Sequence, residues 1–217
     1  VIKIDNNTKG VAMFDRAQWV WVGMSIALSV QLSQPVAAAV PVGKVVQTAP
    51  TNSSDAADKV YKEGVQLYSQ GTAEAKRSAI VKLEEALKLY REAGDNRGQA
   101  LSLLGLGSIY SNLGEKQKAL EYLGQSLPLS RATGARGVEA TTLSNIGLVY
   151  SELGEKQKAL EYFSQSLPLT RAIGDRLQEA LTLNNIGSVY SQLGENQKAL
   201  EYYNQSLPLS RALGDGR

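Results

Sequence analysis

The chain has 217 residues, 43% of them hydrophobic, with 23 basic and 21 acidic side chains and a formal net charge of +2. That length suits one domain or a short repeat array, and so small a charge, with both signs interleaved, provides no field for nucleic acid or an anionic membrane. The absence of His and Cys removes Ser-His and Cys-His nucleophiles and the usual zinc and copper ligands, so neither a metal nor a cofactor is expected.

The first element in chain order is an apolar run, Trp19–Leu32. It is short for a membrane span, which needs about 20 residues. Arg16 precedes it and Ala37, Ala38 and Ala39 follow it. A basic residue, an apolar run and a small-residue cleavage site together read as a secretory signal peptide. Residues 1–39 are therefore expected to be a signal peptide starting at Met13, or an N-terminal anchor if uncleaved. The expected location is outside the cytoplasm, periplasmic or extracellular, with no stable membrane span after cleavage. Residues 40–54, with Pro41, Pro50 and the polar run Thr51–Ser54, read as a flexible linker.

From residue 55 onward the chain repeats itself with a period of forty. Gly114–Tyr122 returns at Gly154–Tyr162 and, with one change, at Gly194–Tyr202; Ala100–Tyr110 returns at Ala140–Tyr150 and Ala180–Tyr190. A fixed period of this length signals stacked small units. Within a unit, Leu143, Ile146, Gly147 and Tyr150 fall at i, i+3, i+4, i+7, and Ala159, Leu160, Phe163 and Leu167 form a second apolar stripe. Each unit therefore reads as two helices joined at a glycine such as Gly154. The expectation is four antiparallel pairs, near 55–95, 96–135, 136–175 and 176–215.

Several finer expectations follow. Asp95 and Asp175 are suited to cap the helices after them; Ala135 is not. Gly64 lies fifteen residues before Ala79, whereas Gly107 lies twelve before Ala119. The three extra residues are expected in the first turn, around Gln70–Thr72. Pro128, Pro168 and Pro208 sit inside second helices and predict a kink. Lys116, Lys118, Lys156, Lys158 and Lys198 read as a solubilising outer face, with Lys118 pairing Glu121 at i,i+3. Tyr110, Tyr150 and Tyr190 lie on the apolar stripe and read as core.

The pattern Leu143-x-x-Ile146-Gly147-x-x-Tyr150, then Ala159-x-x-x-Phe163, resembles the tetratricopeptide repeat, and the forty-residue period resembles its kinesin-light-chain variety. The phrasing is also similar to arrays found in cyanobacteria, where they often precede a caspase-like peptidase domain of the CHAT type. The resemblance covers about 55–217 and implies an all-α fold, a right-handed superhelical solenoid. It also implies a non-catalytic scaffold that binds a peptide or protein surface in a concave groove lined by the first helix of each pair.

On that reading the groove candidates are Asn112, Asn145, Glu152, Asn184, Asn185, Ser188 and Gln192. Asn donates and accepts, so an Asn ladder can grip a peptide backbone with little regard to sequence. The resembling family uses an Asn where Asn145 and Asn185 stand, and Gly105 departs from it. The competing reading is that these side chains are solvated or bond between repeats. No Lys or Arg cluster is present for clamping a terminal carboxylate. Two alternative roles are carried forward. One is a sensory or regulatory fragment of a larger CHAT-type peptidase protein. The other is self-association through an apolar C-terminal face around Leu200, Tyr203 and Leu207.

Overall fold

A computed structural model describes residues 52–214, with side chains from residue 54. The signal segment and most of the linker lie outside the described residues. Eight helices follow one another: α1 Asn52–Ser69, α2 Ala73–Glu92, α3 Asn96–Asn112, α4 Lys116–Ala132, α5 Arg136–Glu152, α6 Lys156–Ile173, α7 Arg176–Gln192 and α8 Asn196–Gly214. They form four antiparallel pairs as expected, except that α1 starts inside the presumed linker, at Asn52.

The turns explain the pairing. Gly154 has φ +83°, a conformation in which a Cβ would be strained. Its N–H bonds to the Ser151 carbonyl at 3.1 Å, and the Glu155 N–H reaches back to that of Tyr150 at 2.9 Å. These bonds occupy carbonyls that the end of α5 would otherwise leave unpaired. The following helix start is capped where the side chain allows it. Asp95 accepts from the Arg97 and Gly98 N–H groups at 2.9 Å, and Asp175 accepts from Gln178 at 3.0 Å. Ala135 supplies no side-chain cap.

The three extra residues of the first pair do not enlarge its turn. Gln70–Thr72 is as long as Leu113–Glu115, and α2 has 20 residues where α4 has 17. The insertion became nearly one extra turn at the start of α2. Thr72 explains this, because its hydroxyl caps the new start by accepting from the Ala75 N–H at 3.1 Å. Beyond the insertion the register is restored. A Cβ on Gly64 would meet Leu83 at 3.0 Å, just as one on Gly107 would meet Leu123. Pro128, Pro168 and Pro208 lie inside α4, α6 and α8 as the spacing predicts, with α4 ending at Ala132, one turn beyond Pro128.

Each first helix packs on its own second helix, on the preceding second helix and on the neighbouring first helices. Leu103, Leu106 and Ile109 meet Leu83 and Leu87 across the first boundary; Val138, Ile146 and Val149 meet Leu123 across the second. Within a pair, a buried serine of the second helix donates to the first helix's backbone: Ser126 to Ala100 and Ser166 to Ala140 at 2.8 Å, Ser206 to Ala180 at 2.9 Å. Ser102 is different, being buried with no partner for its hydroxyl. The two serines should therefore respond with opposite signs. Ser126→Ala is expected to cost about 1 kcal/mol, and Ser102→Ala to gain up to about 1 kcal/mol by removing an unpaired buried hydroxyl. Urea midpoints of the two variants check this.

Two surface expectations are corrected. Tyr110, Tyr150 and Tyr190 are half-buried rather than core. They stack on Tyr122, Tyr162 and Tyr202, with ring centroids 5.3, 5.5 and 5.5 Å apart. Lys118, Lys158 and Lys198 lie over the rings of Tyr110, Tyr150 and Tyr190, 5.1, 5.1 and 5.2 Å from their centroids. Lys118 pairs with Glu115 at 2.6 Å, not with Glu121. Side chains on a helix lean toward its N-terminus, so this lysine reaches backward.

The first pair also differs on its outer side. Aligned through Gly64 and Gly107, Asp55, Lys59, Glu63 and Gln66 occupy the slots of Gly98, Ser102, Leu106 and Ile109. Those four α3 residues are buried against the preceding pair. On α1 the same stripe is charged and lines a surface depression with Asp58 and Lys62.

Candidate functional site

The first helices share one side of the stack, and there they enclose a cavity of about 670 Å³. Its lining follows helical spacing. From α7 come Gln178, Leu181 and Asn185, at i, i+3, i+7; from α5 come Asn145, Leu148 and Glu152, at the same spacing; from α3 come Ser108, Ser111 and Asn112, with Lys116 at the start of α4. That spacing puts each trio on one face of its helix.

Of the seven sequence candidates, Asn112, Asn145, Glu152 and Asn185 line this cavity. Three of these four are engaged with a neighbouring repeat. Asn112 donates to the Tyr68 hydroxyl and to the Ser108 carbonyl, the latter at 3.1 Å. Tyr68 itself is pushed up to about 12, first by burial, with the Asn112 bond acting against the rise. Asn145 donates to the Ser108 hydroxyl at 2.9 Å. Glu152 accepts from Lys116, whose ammonium also bonds the Ser111 carbonyl at 2.8 Å.

Asn185 stands apart. It is 6% exposed, lines the cavity, and has no side-chain hydrogen bond among the described residues. The cause lies forty residues earlier. Asn145 is answered by Ser108, but the equivalent position facing Asn185 is Leu148. Gln178, also buried and also in the lining, likewise has no side-chain partner among the described residues. Two buried amides thus face the cavity with unused donors and acceptors, separated by Leu181 and opposite Leu148.

Asn184, Ser188 and Gln192 do not line the cavity. Asn184 occupies the slot of Ser144, which lines the cavity one pair earlier and whose hydroxyl lies 3.4 Å from that of Thr182. Ser188 accepts from Gln192 at 3.2 Å, and Gln192 accepts from Lys156. Lys116 and Lys156 therefore join repeats rather than only solubilising an outer face. The cavity's charged pair was missed in the sequence because Lys116 and Glu152 sit 36 residues apart, four short of the period. Gln178 and Leu181 lie in the first turns of α7, ahead of the stretch that carries the family pattern, so no motif marks them in the sequence.

Among the described residues there is no cluster of acidic side chains fit to hold a metal, and no helix long and apolar enough to cross a membrane. A family model described as tetratricopeptide repeat matches residues 77–132 and 138–212, more than half of the chain. No curated protein matches its sequence. Among solved structures, the fold is similar to aspartyl phosphate phosphatase F from Bacillus subtilis, with a TM-score of 0.68 at 17% identity over 76% of this chain and 43% of that one. It is more distantly similar to MamA (TM-score 0.45, 21% identity, 73% of this chain and 96% of that). A comparable likeness is to BtubC (BKLC) from P. vanneervenii (0.42, 17%, 77% and 93%). The chain thus spans less than half the length of the phosphatase, and identities this low speak for the fold alone.

Proposed function

The chain belongs to the tetratricopeptide repeat family, and from that premise we propose that it is a non-catalytic scaffold that holds an extended peptide segment of a partner protein across α5 and α7. Domains of this family generally serve protein–protein interaction, and the fold admits many roles. The observation that carries the reading here is Asn185, a buried amide lining the cavity without a partner. Its amide opens to the cavity rather than to a protein partner, and a peptide backbone would satisfy both its donor and its acceptor.

The spacing suits that ligand. Gln178 and Asn185 are seven residues apart on α7, about 10 Å along the helix axis. Three residues of extended peptide span about the same distance. The two amides would then hold backbone groups three residues apart, while Leu148 and Leu181 cover an apolar side chain between them. The ion pair of Lys116 and Glu152 closes one edge and presents no net charge, so the reading favours an uncharged segment over an acidic tail. The export pattern of residues 1–39 supports work outside the cytoplasm.

The test uses an unbiased library of extended ten-residue peptides displayed against residues 40–217. Selected peptides are expected to bind Asn185→Ala about tenfold more weakly, the loss of one to two hydrogen bonds. Gln178→Ala should behave similarly. Asn184→Ala, outside the cavity, should leave binding unchanged. Equal affinity for the parent chain and Asn185→Ala would remove the cavity from the mechanism.

A further inference from the structure

One edge of the groove changes its charge from unit to unit. The end of each first helix is joined there to the unit before it by a polar rung. In the first rung Asn112 meets the Tyr68 hydroxyl, and no charge is present. In the second Lys116 meets Glu152, and the charges cancel. In the third Lys156 meets Gln192. The two ammonium groups are held alike, because Lys116 donates to the Ser111 carbonyl and Lys156 to the Ser151 carbonyl, both at 2.8 Å. Only the partner differs. The carboxylates that flank Lys156 in the sequence are engaged elsewhere, Glu152 by Lys116 and Glu155 by Lys158 at 2.5 Å. Among the described residues Lys156 has no carboxylate partner. Forty residues on, Asn196 replaces the lysine, so the uncompensated cation occurs at one rung.

We propose that Lys156 selects a peptide segment in which the uncharged stretch over the cavity is followed by one acidic side chain. This rests on the peptide reading above and adds the partner's charge pattern to it. Gln178, Asn185 and Gln192 lie at i, i+7 and i+14 on α7, about 21 Å from first to last. Six residues of extended peptide cover about the same length. A backbone held at Gln178 and, three residues on, at Asn185 therefore brings its next residue but two to Gln192 and the Lys156 ammonium. A carboxylate there gains a charge-assisted bond. It loses little hydration, because Lys156 is half-exposed and Gln192 is exposed. At the Lys116 rung the same carboxylate would meet a lysine already neutralised by Glu152, so the acid also fixes the register of the segment.

The experiment displays a randomised ten-residue peptide library against the 217-residue chain and against its Gln192→Glu variant. That substitution rebuilds the Lys116–Glu152 arrangement at the third rung and leaves Lys156 in place. Gln192 is exposed, so the variant should fold, which its circular dichroism verifies. Peptides selected by the parent are expected to carry Asp or Glu at one fixed position beyond an uncharged stretch of about six residues. Replacing that acid by its amide should weaken binding to the parent about fivefold at low salt and leave binding to Gln192→Glu unchanged. In about 1 M salt the difference in the parent should vanish. A pool from the parent with no acid preference, or a preference kept in full by Gln192→Glu, overturns the proposal. Asn185→Ala separates the two claims. Peptides that depend on Asn185 but show no acid preference leave the cavity reading standing and sink this one. A pool indifferent to Asn185→Ala, or no selected peptide at all, removes both.

Discussion

Truncating Phe163 to alanine is expected to lower the unfolding free energy by about 4 kcal/mol, the cost of emptying an aromatic-sized volume that cannot collapse. Phe163 is fully buried. Its ring fills the space between α5, α6 and α7, beside Ala159, Ile186 and Val189. The same slot forty residues later holds Tyr203, which is only half-buried because no described pair covers it. Tyr203→Ala should cost about 1 kcal/mol, within the range of ordinary surface-proximal changes. The measurement is urea unfolding followed by helical circular dichroism. In a stack whose units contact only their neighbours, the Phe163 variant should also unfold over a broader range, because the weakened third pair separates the units on either side. Equal losses in the two variants would mean that position along the stack does not govern the energetics.

Gly147→Ala is expected to destabilise by about 2 kcal/mol, although alanine is the better helix former by about 1 kcal/mol. A Cβ at residue 147 would sit 2.7 Å from Phe163 Cε1 and 2.8 Å from Cδ1. The ring is sealed on all sides and cannot turn away. A Cβ at residue 187 would approach Tyr203 almost identically, at 2.7 and 2.8 Å, but that ring has solvent beside it. There the steric and propensity effects should roughly cancel, and Gly187→Ala should unfold within about 0.5 kcal/mol of the parent. A midpoint for Gly147→Ala at or above that of the parent would show that the pair can separate to admit a methyl group.

The pairs, their turns and their caps were legible in the sequence because each rests on a local rule. A glycine closes a helix, an aspartate opens the next, and an apolar stripe recurs at helical spacing. What escaped depends on what a slot faces. The insertion before Ala79 was visible as three residues, but only the Thr72 cap explains why it lengthened α2 instead of the turn. Asn145 and Asn185 look equivalent by period. They differ because Ser108 answers one and Leu148 stands before the other. Asn184 and Ser188 lie only one and three positions from Asn185 on α7, yet neither lines the cavity, and Gln192, seven positions on, is taken up by Lys156 of the preceding pair. Lys118 shows the same limit, since i−3 and i+3 partners are equivalent in spacing and only the lean of the side chain selects Glu115. For residues 1–51 the reading stays one of sequence pattern.

The recurrence of the contacts has a consequence for heredity. Ala100, Ala140 and Ala180 each receive a serine from 26 residues onward, at nearly the same distance. Excising residues 100–139 would join Gln99 to Ala140 and keep the Ser166 and Ser206 bonds, while setting Glu152 in the place of Asn112 before Tyr68. Recombination between such similar coding segments can therefore delete or duplicate a unit without creating an unfoldable product. The length of the peptide-facing surface then changes in steps of one first helix, and selection can act on reach separately from stability.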